Sequence, residues 1–162
     1  RLMDEDKKQT ELKELQGQIW KAGYESEEIK GHLYKDVLPV WKKFIENGGN
    51  IYIYSSGSVA AQKLLFEFSE EGDLLELISG HYDTKMPGSK LEAQSYKTIA
   101  EDIGLNAEDI LFLTDNILEA EAAKEAGMPC VLSVRPGTMV LPEEHDFESV
   151  DSFELLNDKI YA

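Results

Sequence analysis

The stretch Ile51-Tyr52-Ile53-Tyr54-Ser55-Ser56-Gly57-Ser58 decides the fold. Its first four residues are β-branched or aromatic, which is typical of a short buried strand. A turn rich in serine follows directly, and a helix is predicted after it over about residues 59–68. We therefore expect a β-strand whose carboxyl end carries a polar loop at the start of a helix.

Strands and helices alternate on both sides of this unit. A helix predicted over residues 36–46 precedes it, and Gly48-Gly49 ends that helix. The segments that follow are strands near 78–82, 110–113 and 129–134, helices over about 91–103 and 118–126, and a closing segment at 150–156. Because alternation with nearly continuous apolar strands is typical of a parallel sheet covered on both faces, the predicted fold class is α/β.

The composition limits the classes of partner. The 162 residues are enough for one domain, and 42% hydrophobic residues indicate a folded chain. The net charge of −16 disfavours nucleic acid and anionic membranes as partners. Cys130 is the single cysteine, which excludes an internal disulfide and fits a reducing compartment. We expect a cytoplasmic protein, with the nucleus as the alternative.

Two loops carry candidate ligands for an anion and a cation. The hydroxyl groups of Ser55 and Ser56 and the amides of the helix that follows suit an anion, although a serine N-cap is the simpler alternative. Thr114-Asp115-Asn116 follows a predicted strand, with Glu119 one helical turn later. The carboxylate of Asp115 could hold a hard cation such as Mg²⁺, or it could cap the next helix.

A lysine is the third candidate. Lys90 is predicted to begin the helix over 91–103, where a cation is disfavoured unless it faces an anionic ligand. Lys85 is the alternative lysine, because it lies in the same loop. His32, His81 and His145 lack metal-ligand spacing, so a structural role is the simpler interpretation for each of them.

The order of these elements carries a resemblance. The runs at residues 51–59, 61–66, 80–85, 111–115 and 134–137 are similar to those of the enolase-phosphatases of methionine salvage, within the haloacid dehalogenase-like superfamily. The resemblance implies a Rossmannoid parallel sheet with helices on both faces. It also implies that Ser55 and Ser56 bind substrate phosphate, that Lys90 offsets negative charge, and that Asp115 ligates Mg²⁺. The implied substrate is 2,3-diketo-5-methylthiopentyl 1-phosphate, which is converted to an acireductone.

The resemblance also marks a difference. Members of the family carry a strand that ends in Asp-x-Glu-Gly-Thr, whose first Asp attacks phosphorus, and this chain shows no such run; the acidic segment 3–6 lacks an apolar strand before it. We therefore expect residues 1–33 to end a helical cap and residues 34–162 to form an incomplete core without its first, central strand. We expect the chain alone to be inactive, and its open slot to take an amino-terminal segment or a strand exchanged from another copy.

Two alternatives compete with an enzyme. The chain could be a truncated or degenerate phosphatase-like domain that binds a ligand or partner without turnover. It could also be a receiver-like phosphoacceptor domain, which shares the parallel sheet and the acidic, hydroxyl and lysine elements. The acidic pair that such a domain carries after its first strand is not found here.

Overall fold

The computed structural model describes residues 17, 19–26, 28–138, 140–142 and 144–156. The helices are α1 (Val37–Glu46), α2 (Val59–Glu67), α3 (Ala93–Ile103) and α4 (Ile117–Glu125). The strands are β1 (Tyr52–Tyr54), β2 (Gly80–Tyr82), β3 (Phe112–Thr114), β4 (Cys130–Ser133) and β5 (Glu148–Val150). Short 3-10 helices occupy Leu75–Leu77, Ala107–Asp109 and Phe153–Leu156.

The strands form two parallel sheets. β1 pairs with β2, with Ile53 opposite His81. β4 lies between β3 and β5, with Leu113 opposite Val131 in the pairing with β3. Each parallel connection contains a helix or a longer crossing segment, as parallel pairing requires. The predicted α/β class with parallel strands is confirmed.

One apolar cluster joins the two sheets. Tyr82 of the first sheet, Tyr96 and Ile99 of α3 and Ala123 of α4 are buried together, and Phe112 of β3 packs against them. The ring of Tyr96 contacts the rings of both Tyr54 and Phe112. Helix α3 therefore bridges β1 and β3 on one face, although these strands are not hydrogen-bonded to each other.

The opposite face holds a second cluster. Val131, Val150 and Leu156 are buried there, with Leu111 and Leu113 packed against them. Side chains of neighbouring residues thus alternate between the two clusters, as the period of a strand requires. Both faces of β3 and β4 are covered, which explains why their sequences are apolar throughout.

The predicted helices and strands are found with boundaries shifted by a few residues. The start of α3 is the boundary that matters for the site. Helix α3 begins at Ala93, and Gly104 ends it with a φ of +80°, a conformation that glycine adopts readily. Residues 1–33 were expected to end a helical cap; residues 19–25 are helical, and the segment lies partly outside the described residues. None of the helices in the described part of the chain is both long and apolar enough to span a membrane.

Candidate active site

Polar residues follow the strands at their carboxyl ends. Ser55 follows β1, Asp83 follows β2, and Asp115 follows β3. Ser55 continues the ladder, because its N–H donates to the carbonyl of Tyr82 at 3.1 Å. In open parallel sheets a ligand binds beyond the carboxyl ends of the strands, so these loops form the candidate site.

A buried ion pair lies beside β3. The Lys90 ammonium is 2.6 Å from Oε2 of Glu119, and the two side chains are only 19% and 13% exposed. The hydroxyl of Thr114 donates to the same Glu119 oxygen at 2.7 Å. Glu119 therefore accepts bonds from a cation and a hydroxyl at once, which holds the Lys90 ammonium next to the end of β3.

Asp115 is free of the capping role that was its alternative. The residue that caps α4 is Asn116, whose Oδ1 accepts from the N–H of Leu118 at 3.0 Å. Asp115 itself is exposed. Its carboxylate stands at the mouth of the site, where it can accept a ligand.

Lys90 and Asp115 line the same crevice. This opening, of about 480 Å³, is also lined by Thr114, Tyr34 and Arg135. Lys85, the alternative lysine, is exposed and is not among the lining residues; its backbone N–H donates to Asp83 at 2.9 Å. The geometry therefore favours Lys90 over Lys85 as the lysine that faces a ligand held by Asp115.

The expected setting of Lys90 was wrong in one respect. Lys90 does not begin a helix but lies in a turn three residues before α3. Its carbonyl accepts a hydrogen bond from the hydroxyl of Tyr96 at 2.7 Å. A side chain thus holds the backbone of Lys90, so the unfavourable placement of a cation at a helix start does not arise.

Residues 55–58 form a serine loop before α2. The helix cap in this loop is neither of the two serines that were expected to bind phosphate. Ser58 caps α2, because its Oγ accepts from the N–H of Ala61 at 3.3 Å. Ser55 Oγ accepts from the N–H of Gly57 at 3.2 Å, and Ser56 is exposed. The N-cap alternative therefore belongs to Ser58, and Ser55 and Ser56 are not needed for it.

Gln62 of α2 contacts this loop, and the sequence did not single it out. Its buried amide donates to the carbonyls of Gly57 and Tyr82 at 2.9 and 2.8 Å. Its Oε1 lies 3.2 Å from Nδ1 of His81. Gln62 therefore ties the serine loop to the end of β2, and a glutamine within the apolar pattern of residues 59–66 is the signal that could have found it.

Asp83 is a second such residue. Its carboxylate accepts from the N–H groups of Val59 at the start of α2 and of Lys85. Burial raises the pKa of Asp83, but these N–H groups and that of Met86 outweigh burial, so the pKa is lowered overall. Asp83 is thus ionised and fixes the start of α2 beside the serine loop.

One wall of the crevice is an arginine clamp, formed by Arg135, Asp36, Asp151 and Phe153. The guanidinium of Arg135 donates to both carboxylate oxygens of Asp36 and, at 2.6 Å, to the carbonyl of Asp151. The N–H of Phe153 donates to Asp36 at 2.6 Å. The guanidinium also lies 4.6 Å from the ring centre of Tyr34. This clamp fixes the start of α1 to the loops after β4 and β5.

An apolar groove separates β1 from β3. It has a volume of about 350 Å³ and is lined by residues 51–54 on one side and 110–113 on the other. The described part of the chain places no strand in it.

Lys90 and Asp115 lie together in the crevice, whereas Ser55 and Ser56 are not among its lining residues. Convergence of all four on one ligand stays a prediction.

The backbone at the groove has a regular pattern. Ile51 and Ser55 bond towards β2, and Phe112 bonds towards β4. Because backbone groups alternate in direction along a strand, those of Tyr52 and Tyr54 in β1 and of Leu113 in β3 point into the groove. The groove therefore presents N–H and C=O groups on both walls.

Comparison with known proteins agrees with this architecture. A family model described as haloacid dehalogenase-like hydrolase matches residues 1–127. The chain belongs to this family. The yeast (Saccharomyces cerevisiae) UTR4 protein is similar to this hydrolase chain in structure, with a TM-score of 0.78 and 41% identity over 88% of this chain and 66% of that one.

Relatives of this haloacid dehalogenase-like chain include proteins named "Enolase-phosphatase E1". The one from Naegleria gruberi is 57% identical over 95% of this chain and 61% of its own length. The one from Anopheles gambiae is 53% identical over 96% of this chain and 53% of its own length. The predicted resemblance is confirmed, and the chain spans between half and two thirds of the length of these curated relatives.

Proposed function

We propose that this chain forms the core of a magnesium-dependent phosphatase that takes a small phosphorylated substrate. The observation that carries the proposal is the shared crevice of Lys90 and Asp115 at the carboxyl end of β3. A cation and an exposed carboxylate that line one crevice suit a phosphate and the metal ion that neutralises it. Relatives named "Enolase-phosphatase E1" support a phosphatase. The substrate in this proposal is 2,3-diketo-5-methylthiopentyl 1-phosphate, in cytoplasmic methionine salvage.

The residues at the crevice fit Mg²⁺. This ion is commonly held by one or two carboxylates and completes its shell with water and substrate phosphate. Asp115 offers an exposed carboxylate, whereas Glu119 is occupied by Lys90 and Thr114. Among the described residues no three or more His, Cys, Asp or Glu side chains cluster as a metal site. Asp115 would be the carboxylate ligand from this part of the protein, and bound magnesium would offset phosphoryl charge.

The chain's own residues would bind and orient the phosphoryl group. The Lys90 ammonium would face its negative charge, held in place by Glu119. The hydroxyls of Ser55 and Ser56 would donate to its oxygens from the end of β1. Donors that are fixed before the reaction stabilise the charge of the transition state without reorganising.

The attacking group would come from a strand in the groove between β1 and β3. An aspartate carboxylate at its end would attack phosphorus and release the substrate oxygen, which takes up a proton. Water would then cleave the resulting aspartyl-phosphate and release inorganic phosphate. In this proposal the isolated chain supplies binding and charge, and it is inactive without that strand.

The groove supports this part of the proposal. Its walls are apolar side chains, and backbone groups of Tyr52, Tyr54 and Leu113 point into it. A parallel strand with apolar residues on both faces would pair with both walls and join the two sheets. An amino-terminal segment of the protein or a strand from a second copy would meet this requirement.

The experiment compares this chain with a chimera. The chimera joins the chain to the portion of the Naegleria gruberi relative that the chain does not span. We expect Mg²⁺-dependent release of inorganic phosphate from the chimera and none from the chain alone. Asp115→Asn in the chimera should abolish turnover and leave the circular dichroism spectrum unchanged.

Asp109→Asn is the matched control, because Asp109 is an exposed aspartate before β3, at the opposite end from the crevice. It should retain the activity of the chimera. Unchanged turnover of Asp115→Asn at limiting Mg²⁺ would refute the metal assignment. An inactive but folded chimera would instead support a binding domain without turnover.

A further inference from the structure

The turn that carries Lys90 is held by two tyrosine hydroxyls. The hydroxyl of Tyr96 donates to the carbonyl of Lys90, and that of Tyr54 donates to the carbonyl of Gly88, both at 2.7 Å. These distances are typical of well-formed O–H···O bonds. The backbone is therefore fixed at Lys90 and two residues before it, by side chains from α3 and β1.

The two tyrosines are themselves immobilised. Tyr96 is fully buried, and its ring packs edge-on against those of Tyr54 and Phe112, with centres 5.6 and 4.9 Å apart. Burial raises the pKa of both Tyr54 and Tyr96 above the ordinary value, so their hydroxyls keep their protons and can donate at neutral pH. The position of the turn is thus fixed relative to β1 and β3.

The turn also approaches α3 closely. Gly88 has a φ of +137°, and a Cβ at this position would stand 2.9 Å from Oγ of Ser95. Any other residue would be strained and would push the turn away from the helix. A glycine at position 88 therefore lets the turn lie against α3, within reach of the tyrosine hydroxyls.

The head of Lys90 meets one of the same tyrosines. Its Nζ lies 5.7 Å from the ring centre of Tyr54 and 2.6 Å from Glu119. Tyr54 thus contacts the ammonium through its ring and the turn through its hydroxyl. Movement of the turn would move the ammonium relative to Asp115 across the crevice.

We propose that Tyr54 and Tyr96 are positioning residues that set the place of the Lys90 ammonium for phosphoryl transfer. The inference rests on the proposed function. A charged group stabilises a transition state only from the right position, and a displacement of about 1 Å can cost on the order of a hundredfold in rate.

The test uses Tyr54→Phe and Tyr96→Phe, which remove one hydroxyl each and keep the ring. Tyr82→Phe is the matched control, because Tyr82 is a buried tyrosine whose hydroxyl also donates at 2.7 Å, but to Asp102 on α3. Two readouts are compared. The first is acetylation of Lys90 in this chain by acetic anhydride, followed by peptide mass spectrometry with Lys97 as internal reference. The second is kcat and KM of the chimera.

We expect faster acetylation of Lys90 in both test variants and a loss of kcat of about tenfold with a smaller change in KM. Tyr82→Phe should lower the melting temperature without either effect. Unchanged acetylation in both test variants would overturn the proposal, and so would faster acetylation with an undiminished kcat. The acetylation readout does not need turnover, so it stays informative if the proposed function fails.

Discussion

The arginine clamp makes a strong prediction about stability. Asp36→Asn removes the negative charge that faces the guanidinium of Arg135 but keeps the size of the side chain. The Arg135 and Asp36 side chains are only 10% and 16% exposed, so the remaining cation cannot be fully solvated by water. The amide also offers one acceptor oxygen in place of the two that Arg135 and Phe153 now use.

The magnitude follows from the burial of the pair. Loss of one partner of a buried ion pair costs roughly 3–5 kcal/mol, and the residual exposure here places the cost at about 3 kcal/mol. For a chain of this size such a loss lowers the melting temperature by about 6–12 °C. Urea unfolding followed by circular dichroism at pH 7 measures the free energy directly.

The pH dependence of the free energy of unfolding distinguishes the contribution of the Asp36 charge from that of side-chain packing. Burial raises the pKa of Asp36, but the bonds from Arg135 and Phe153 outweigh burial, so the pKa lies below its ordinary value of 3.8. A group with a lowered pKa stabilises the fold above its unfolded pKa and loses that effect as the pH falls through its folded pKa. The difference in the free energy of unfolding between the unsubstituted chain and Asp36→Asn should therefore reach its full size at pH 6. It should shrink below about pH 4.

Asp151→Asn is the control for this experiment. It removes one negative charge from the same clamp region, but the side chain of Asp151 is exposed and the clamp uses only its carbonyl. Its effect should stay within about 0.5 kcal/mol. Equal losses in Asp36→Asn and Asp151→Asn, or a loss independent of pH between 3 and 6, would refute the role of the buried charge pair.

Three further outcomes are expected. Gly31→Ala should destabilise the chain by about 1–3 kcal/mol in urea unfolding, because the new Cβ would overlap the carbonyl of Leu65. Its control, Gly17→Ala, places the new Cβ in open space on a helix and should be neutral or stabilising. Gln62→Glu loses the two N–H donors that hold the serine loop, so in the chimera it should raise KM more than it lowers kcat. Burial raises the pKa of the Cys130 thiol to about 12, so iodoacetamide should alkylate it slowly at pH 8 in the folded chain and quickly in urea.

The sequence was a good guide where structure is local. The β-branched and aromatic run at Tyr52–Tyr54 and the turn residues after it define a strand and a loop within a few residues of chain. Alternation of strands and helices then predicts a parallel arrangement, because each strand needs a crossing connection. The placement of Asp115 at the end of β3 follows from the same local pattern.

The local sequence pattern did not predict the features that depend on tertiary contacts. Sequence periodicity alone places the start of the helix at Leu91, but α3 starts at Ala93. The Lys90 carbonyl accepts a tertiary hydrogen bond from the side chain of Tyr96, which periodicity does not reveal. The pairing of Lys90 with Glu119 depends on two loops that meet only in the fold. No periodicity marks such a contact, which also explains why the role of Asp83 was missed.

The clamp has a consequence for the order in which the chain matures on the ribosome. Asp36 leaves the ribosome before its partners Arg135 and Phe153, which follow 99 and 117 residues later. Helix α1 must therefore wait for nearly the whole of the described chain to be synthesised before its first turn is anchored. Until then its apolar side, including Val37 and Val40, lacks the part of its cover that the 3-10 helix Phe153–Leu156 provides. The nascent chain is thus most open to chaperones, or to aggregation, during the interval before residue 153 emerges.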